Sequence, residues 1–242
     1  MVASAQGDTL ARTPEWPEGI GRLATRNDLP EAVADYVGLV RAFDRQQGNA
    51  EATPRFYPGS PRLLSAVART QDRVALCELQ PDEGAALRAE FVAERRVTVQ
   101  ELDGYTALRA LLPPPERRAL VLIDPPFESQ AEFAHIAQGL GEGLRRLPGG
   151  TFAVWFPLTE RAGVAEFDRE GGLRRAVALP PTLVVHLVVN PAAPKLNGCG
   201  LLIVNPPWQF DRELRTLAEW LAGALAQSPG GGTEQRWLVP ET

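Results

Sequence analysis

From residue 73 onward the chain alternates short apolar runs with longer amphipathic stretches. "RVALCEL" precedes "PDEGAALRAEFVAERR", and "VTVQEL" precedes "GYTALRALL". "ALVLI" precedes "SQAEFAHIAQGLGEGLRRL", and "TFAVWF" precedes "ERAGVAEFDREGG". The first member of each pair suits a strand and the second a helix. Buried strands alternating with amphipathic helices predict an α/β fold, a parallel sheet with helices on both faces. After residue 180 the pattern changes. "TLVVHLVV" and "GLLIVN" are separated only by "PAAPKLNGC". That is too short for a helical crossover, so the two strands should pair antiparallel. A last helix follows, with Leu214, Leu217, Leu221 and Leu225 on one stripe, and "RWLV" reads as a short edge strand.

Upstream, residues 1–26 read as irregular. A helix is signalled from Asn27: Asn27 or Asp28 can cap it, Pro30 suits its first turn, and Val33, Tyr36, Val37 and Val40 recur at helical spacing. The loop "QQGNAEATPRFYPGSP" leads to a second helix, with Ser60 as the expected cap and Pro61 at its first position. Residues 27–70 therefore form a helical appendage on one domain spanning 1–242.

In an open parallel sheet, ligands bind beyond the carboxyl ends of the strands. Three acidic residues fall there: Glu78 ends the first strand, Asp103-Gly104 follows the second, and Asp124 follows the third. A carboxylate at a strand end can accept both hydroxyl hydrogens of a ribose. An Asp in the next loop can accept from an adenine amino group, and Gly104 lets the backbone come close. Asp124 opens Asp124-Pro125-Pro126-Phe127. An exocyclic amine on a base is a poor nucleophile because its lone pair is delocalised. A carboxylate and a backbone carbonyl accepting its hydrogens favour a pyramidal nitrogen, prolines supply carbonyls without competing N–H groups, and the aromatic offers a face to stack on. The target base must leave its helix to reach such a pocket.

The chain nearly repeats this turn at Asn205-Pro206-Pro207-Trp208. That copy ends the antiparallel hairpin, and no acidic series leads up to it. It reads as a strand terminator, with Trp208 expected to pack on the last helix.

Composition narrows the field. The 242 residues are 44% hydrophobic and 23% charged, enough to bury a core and close to the globular average. The net charge of -5 offers no bulk electrostatic case for nucleic-acid binding. Lys195 is the only lysine. Two cysteines, Cys77 and Cys199, make neither a disulfide framework nor a four-ligand zinc site. The two histidines, His135 in a helical pattern and His186 in an apolar run, read as structural residues, so no metal site is expected. Gly139-x-Gly141-x-Gly143 lies inside a helical stretch and fails the context test for a dinucleotide loop. No signal-peptide core or membrane-span run is present, so a soluble, cytoplasmic protein without membrane contact is expected. A monomer is expected as well.

The series "RFYPGSP", "CELQPDE", "LDGY", "VLIDPPFE", "FAVWFPL" and "NGCGLLIVNPPW", in that order, resembles the bacterial methyltransferases that modify an adenine N6 in 23S ribosomal RNA. The resemblance implies a Rossmann-like class I methyltransferase sheet and S-adenosylmethionine as cofactor. It implies Asp124 as catalytic acid with Pro125 and Phe127 beside it, and Ser60, Glu78, Asp103, Gly104 and Asp124 as cofactor contacts. Members of that family begin with a basic segment and a first strand ending in a D-x-H-A-G-x-G loop. Neither is found here, so the first strand of the sheet is expected to be missing. Two other readings stay open: a catalytically impaired fragment of that family, and a DNA or protein amide methyltransferase sharing the same turn.

Overall fold

A computed structural model describes residues 2–4, 16–51, 53–127, 129, 131–159, 172–193 and 196–241. The chain divides into two compact units, Met1–Asp103 and Gly104–Thr242.

In the first unit, helix α2 (Glu31–Gln46) buries Val33, Val37, Val40 and Phe43 on one stripe, as the spacing predicts. Its cap differs. Pro30 holds the N-cap position without a side-chain bond, and Asp28 pairs with Arg26 instead. In the last turn of α2, the buried Asp44 accepts from the backbone of Arg55 and Phe56 at 3.1 and 2.8 Å and from the Asn49 amide at 2.6 Å. These bonds fix the loop. The stretch expected to be irregular holds strand β1 (Val2–Ser4) and the short helix α1 (Ile20–Ala24). Strand β1 pairs antiparallel with β2 (Phe56–Pro58). Ser60 begins helix α3 (Ser60–Val67) as its first residue; Gly59 is the N-cap, so the expected Ser60 cap is not formed. Strands β3 (Val74–Glu78) and β4 (Val97–Glu101) pair parallel, with Glu78 opposite Glu101, and are joined by helix α4 (Pro81–Glu90). Leu76, Leu87 and Phe91 form the small core beneath them.

In the second unit, α5 (Gly104–Leu111) leads to β5 (Leu120–Ile123), α6 (Glu132–Arg146) and β6 (Thr151–Leu158). The short α7 (Gly172–Ala176) precedes β7 (Thr182–Val188) and β8 (Gly198–Val204), and α8 (Phe210–Leu225) precedes β9 (Gly232–Val239). The helix expected over 160–172 lies almost wholly outside the described residues. The sheet order is β5-β6-β8-β7-β9. Strands β5 and β6 are parallel, and β7 and β8 form the expected antiparallel hairpin. Each unit thus holds one parallel pair of an α/β arrangement, and the second adds antiparallel strands. The edge strand β9 is twice as long as the apolar signal "RWLV", and a register shift opposite Thr182 and Leu183 bends it.

The core of the second unit is built from alternating residues of β6 and β8 (Phe152, Val154, Phe156, Leu202, Val204) against Ile136 and Leu140 of α6. Burying each large side chain contributes about 1.5–3 kcal/mol. Small residues let α6 come close. A Cβ at Gly139 would stand 2.7 Å from the Tyr105 ring, and one at Gly143 would stand 2.6 Å from Phe152. Two glycines of the three-glycine pattern, Gly139 and Gly143, therefore serve packing.

Candidate active site

In the first unit, Glu78 and Asp103 follow the pattern expected of strand ends. The Glu78 carboxylate accepts from the Gln80 backbone N–H at 2.8 Å, which orients it and leaves its second oxygen for another partner. Backbone pairing continues to Leu102, whose N–H donates to the Glu78 carbonyl at 3.2 Å, so Asp103 stands one residue past the paired strands. Asp103 lies close enough to Cys77 that its charge, second to burial, holds that thiol above its ordinary range. Ser60 opens α3, whose other end is fixed by Arg96. The Arg96 guanidinium, just before β4, donates to the carbonyls of Ser65 and Ala68 at 2.6 and 2.7 Å. The C-terminal turn of α3 is therefore at the amino edge of β3 and β4. Glu78 and Asp103 thus share one edge.

A cavity of about 620 Å³ in this unit, lined by Arg62, Ser65, Glu94 and Arg96, opens at the amino edge. Its charges are used structurally: Arg62 bonds Glu90 and Glu94, and Ser65 also bonds Glu94.

In the second unit, Gly104 begins α5, and nothing stands within 4 Å of where its Cβ would project. That open space suits close approach by a ligand. Asp124 follows the last paired residue of β5. It remains open to solvent, yet partial burial raises its carboxyl pKa, and no other influence opposes the shift. Among the described residues none donates to this carboxylate, so its lone pairs are available. The turn ends at Phe127, whose φ of 53° is left-handed. An L-residue with a Cβ adopts that conformation at a cost of roughly 1–2 kcal/mol, and such outliers cluster where function demands them. Two rings hold Phe127: Phe133 at 5.5 Å between centroids and Trp155 at 5.9 Å, tilted 66°. Such contacts contribute about 0.5–1.5 kcal/mol each beyond burial, enough to offset the strain. Behind the turn, the Tyr105 hydroxyl donates to the buried Glu132 carboxylate at 2.6 Å, linking the starts of α5 and α6.

The second Pro-Pro turn differs in conformation, bonding and place. Its left-handed residue is Asn205 (φ 50°), the type that tolerates this region best, and not its aromatic. The Asn205 amide donates to the carbonyls of Pro148 and Gly150, both at 2.8 Å, and its own carbonyl accepts from the Thr151 hydroxyl at 2.9 Å. Strand register decides its place. Leu120 pairs with Thr151 and Phe152 with Val204, so the turn after Val204 lies at the amino end of β5, the end away from Asp124. The length of β5 puts roughly 13 Å between those two sheet edges. Trp208 is 79% exposed and does not pack on α8 as expected, because the chain leaves β8 through this clamped turn and the left-handed Gln209.

One functional residue carried no assigned role in the sequence. Trp155 sits in "FAVWFPL" one position beyond the last β5–β6 pair, Ile123 with Val154, and is therefore level with Asp124. Its only signal in the sequence is an aromatic at a strand end. Burial holds the nearby Cys199 thiol above its ordinary range, and the Trp155 side chain draws it partly down. Among the described residues no group of three or more His, Cys, Asp or Glu could hold a metal ion.

Helices interspersed with parallel and antiparallel strands, and an acid-Pro-Pro-aromatic turn after a parallel strand, are consistent with a Rossmann-like, class I methyltransferase. Residues 3–239 match the model of the family described as "RsmJ: Ribosomal RNA large subunit methyltransferase D, RlmJ", and the chain belongs to that family. It is 33% identical over 232 residues to Ribosomal RNA large subunit methyltransferase J of Escherichia coli, covering 95% of this chain and 80% of the relative. It is 34% identical over 232 residues to the protein of the same name from Haemophilus influenzae, with the same coverage. Among solved structures it is similar to a Legionella pneumophila protein at 30% identity and a TM-score of 0.80, covering 98% of this chain and 83% of that one.

Proposed function

We propose that the chain transfers a methyl group to the N6 amine of an adenine in large-subunit (23S) ribosomal RNA, with S-adenosylmethionine as donor. The observation that carries this reading is Asp124: a carboxylate with no donor among the described residues, at the carboxyl end of β5, followed by two prolines and a left-handed Phe127. The names of the family and of its relatives support ribosomal RNA as substrate, and the chemistry of the turn supports the amine.

The residues divide the work. Asp124 and the Pro125 carbonyl accept the two amine hydrogens, which holds the nitrogen in place and turns its lone pair outward. Phe127 stacks the extruded base, worth about 1–3 kcal/mol. Glu78, with one oxygen fixed by Gln80, accepts the ribose hydroxyls of the cofactor. Asp103 accepts from its adenine amine, the open backbone at Gly104 admits it closely, and Ser60 and Asp124 add polar contacts. S-adenosylmethionine supplies an electrophilic methyl on a sulfonium. As the N–C bond forms and the S–C bond breaks, the amine sheds one proton. A carboxylate whose pKa is raised by burial is a better acceptor for that proton than an ordinary one. No metal is assigned a role. Every assigned residue lies in one chain, so a monomer suffices. Ribosomal RNA as substrate implies a cytoplasmic setting. Among the described residues no helix is long and apolar enough to cross a membrane.

The test incubates the purified chain and methyl-labelled S-adenosylmethionine with 23S ribosomal RNA or with DNA. Label recovered as N6-methyladenine from the RNA is expected. Label on DNA, label on another base, or no label on the RNA would sink the reading.

A further inference from the structure

Phe127 is half-buried, and the contacts that restrain its ring come from two directions. Phe133 approaches from the start of α6, with centroids 5.5 Å apart and planes tilted 53°. Trp155 approaches from β6 with its ring tilted 66°. Register places Trp155 opposite Leu201 and Pro157 opposite Cys199, so Trp155 and Cys199 project from the same face of adjacent strands. Trp155 is thus anchored on a paired strand of the sheet, whereas Phe127 stands in a turn. Phe127 needs such support because its left-handed backbone is not where a free Phe rests. Released, it would relax to negative φ and carry the ring away.

We propose that Trp155 is the positioning residue that holds the Phe127 ring in its stacking orientation beside Asp124. This inference deepens the proposed function and rests on Phe127 stacking the target base. Trp155 touches neither cofactor nor reacting atoms in this account. It belongs to the step that fixes the extruded adenine, so its removal affects the use of RNA and leaves cofactor binding alone.

The experiment is a double-mutant cycle, read by single-turnover methyl transfer to 23S ribosomal RNA and by S-adenosylmethionine binding in a calorimeter. Trp155→Leu is expected to lower RNA turnover about tenfold while cofactor affinity stays within about twofold. Trp155→Phe, which keeps a smaller ring at the contact, is expected to recover part of that loss. Phe127→Ala alone should lower turnover at least as far. In a Phe127→Ala background, Trp155→Leu should add nothing beyond about twofold, because its action passes through the missing ring. An equal further loss in that background overturns the positioning role, as do wild-type rates for Trp155→Leu. If Trp155→Leu does not fold, the same cycle run with Trp155→Phe decides by the same criterion. Wild-type rates for Phe127→Ala alone would instead overturn the stacking role itself, and the inference with it.

Discussion

Asn205 donates its side-chain amide to the carbonyl of Gly150 at 2.8 Å, and with this bond the second Pro-Pro turn becomes part of the scaffold. The first turn has nothing comparable. Asp124 accepts no hydrogen bond from a described residue, and its aromatic, not its acid, takes the left-handed backbone. Two turns that look alike in the sequence therefore do different work at opposite edges of one sheet.

Removing the clamp should cost stability and nothing else. Asn205→Ala leaves the carbonyls of Pro148 and Gly150 without their amide partner and puts an alanine at positive φ. We expect a loss of about 1–3 kcal/mol in urea unfolding. Methyl transfer per folded molecule should stay at the wild-type rate. A large fall in transfer with stability intact would return this turn to the reaction.

The Tyr105–Glu132 bond should behave as a buried polar pair. Tyr105→Phe keeps the ring but leaves a buried carboxylate without its hydroxyl donor, at a cost of about 1–3 kcal/mol. Chemical denaturation of the two proteins checks it. Equal midpoints and slopes would show that the bond contributes nothing.

Asp124 carries a pH signature. Its folded pKa lies above the unfolded value, so the folded state favours the protonated acid. Whatever stability this gives is present below the unfolded pKa and is lost as pH rises through the folded one. Asp124→Asn has no such loss. The stability of the wild type relative to Asp124→Asn should therefore fall as pH rises from acid toward neutral. Unfolding curves for both proteins across that range check the sign. A wild type that gains on the variant with rising pH would contradict the burial account.

The same shift bears on rate. Only the ionised carboxylate can accept both the amine hydrogen and the departing proton. The acid limb of the single-turnover pH profile should therefore lie above the ordinary aspartate value of about 3.9. A limb at or below that value would mean that another group controls it.

Much of this was legible in the chain. Apolar runs bounded by acids located the ends of β3, β4 and β5, so Glu78, Asp103 and Asp124 could be read as strand-end residues before any coordinates. What was not legible depends on partners distant in sequence. Strand β1 is defined by pairing with Phe56–Pro58, some fifty residues on, and its own three residues carry no pattern. The amide of Asn205 meets carbonyls 55 and 57 positions away. The length of β9 comes from pairing with β7, since "GTEQ" alone reads as a turn. Local rules also failed where a neighbour competed: Asp28 is a good cap by type, but Arg26 two residues away takes its carboxylate. The role of Trp155 became visible only once register set it level with Asp124.

The central claim is that Asp124, and not the turn at Asn205, is where the methyl group is transferred. The most direct measurement is single-turnover transfer of labelled methyl to 23S ribosomal RNA by the wild type and Asp124→Asn, with folding of both verified by circular dichroism. The account predicts loss of transfer of about a thousandfold or more in the variant, with the fold intact. Transfer by folded Asp124→Asn at the wild-type rate would contradict it.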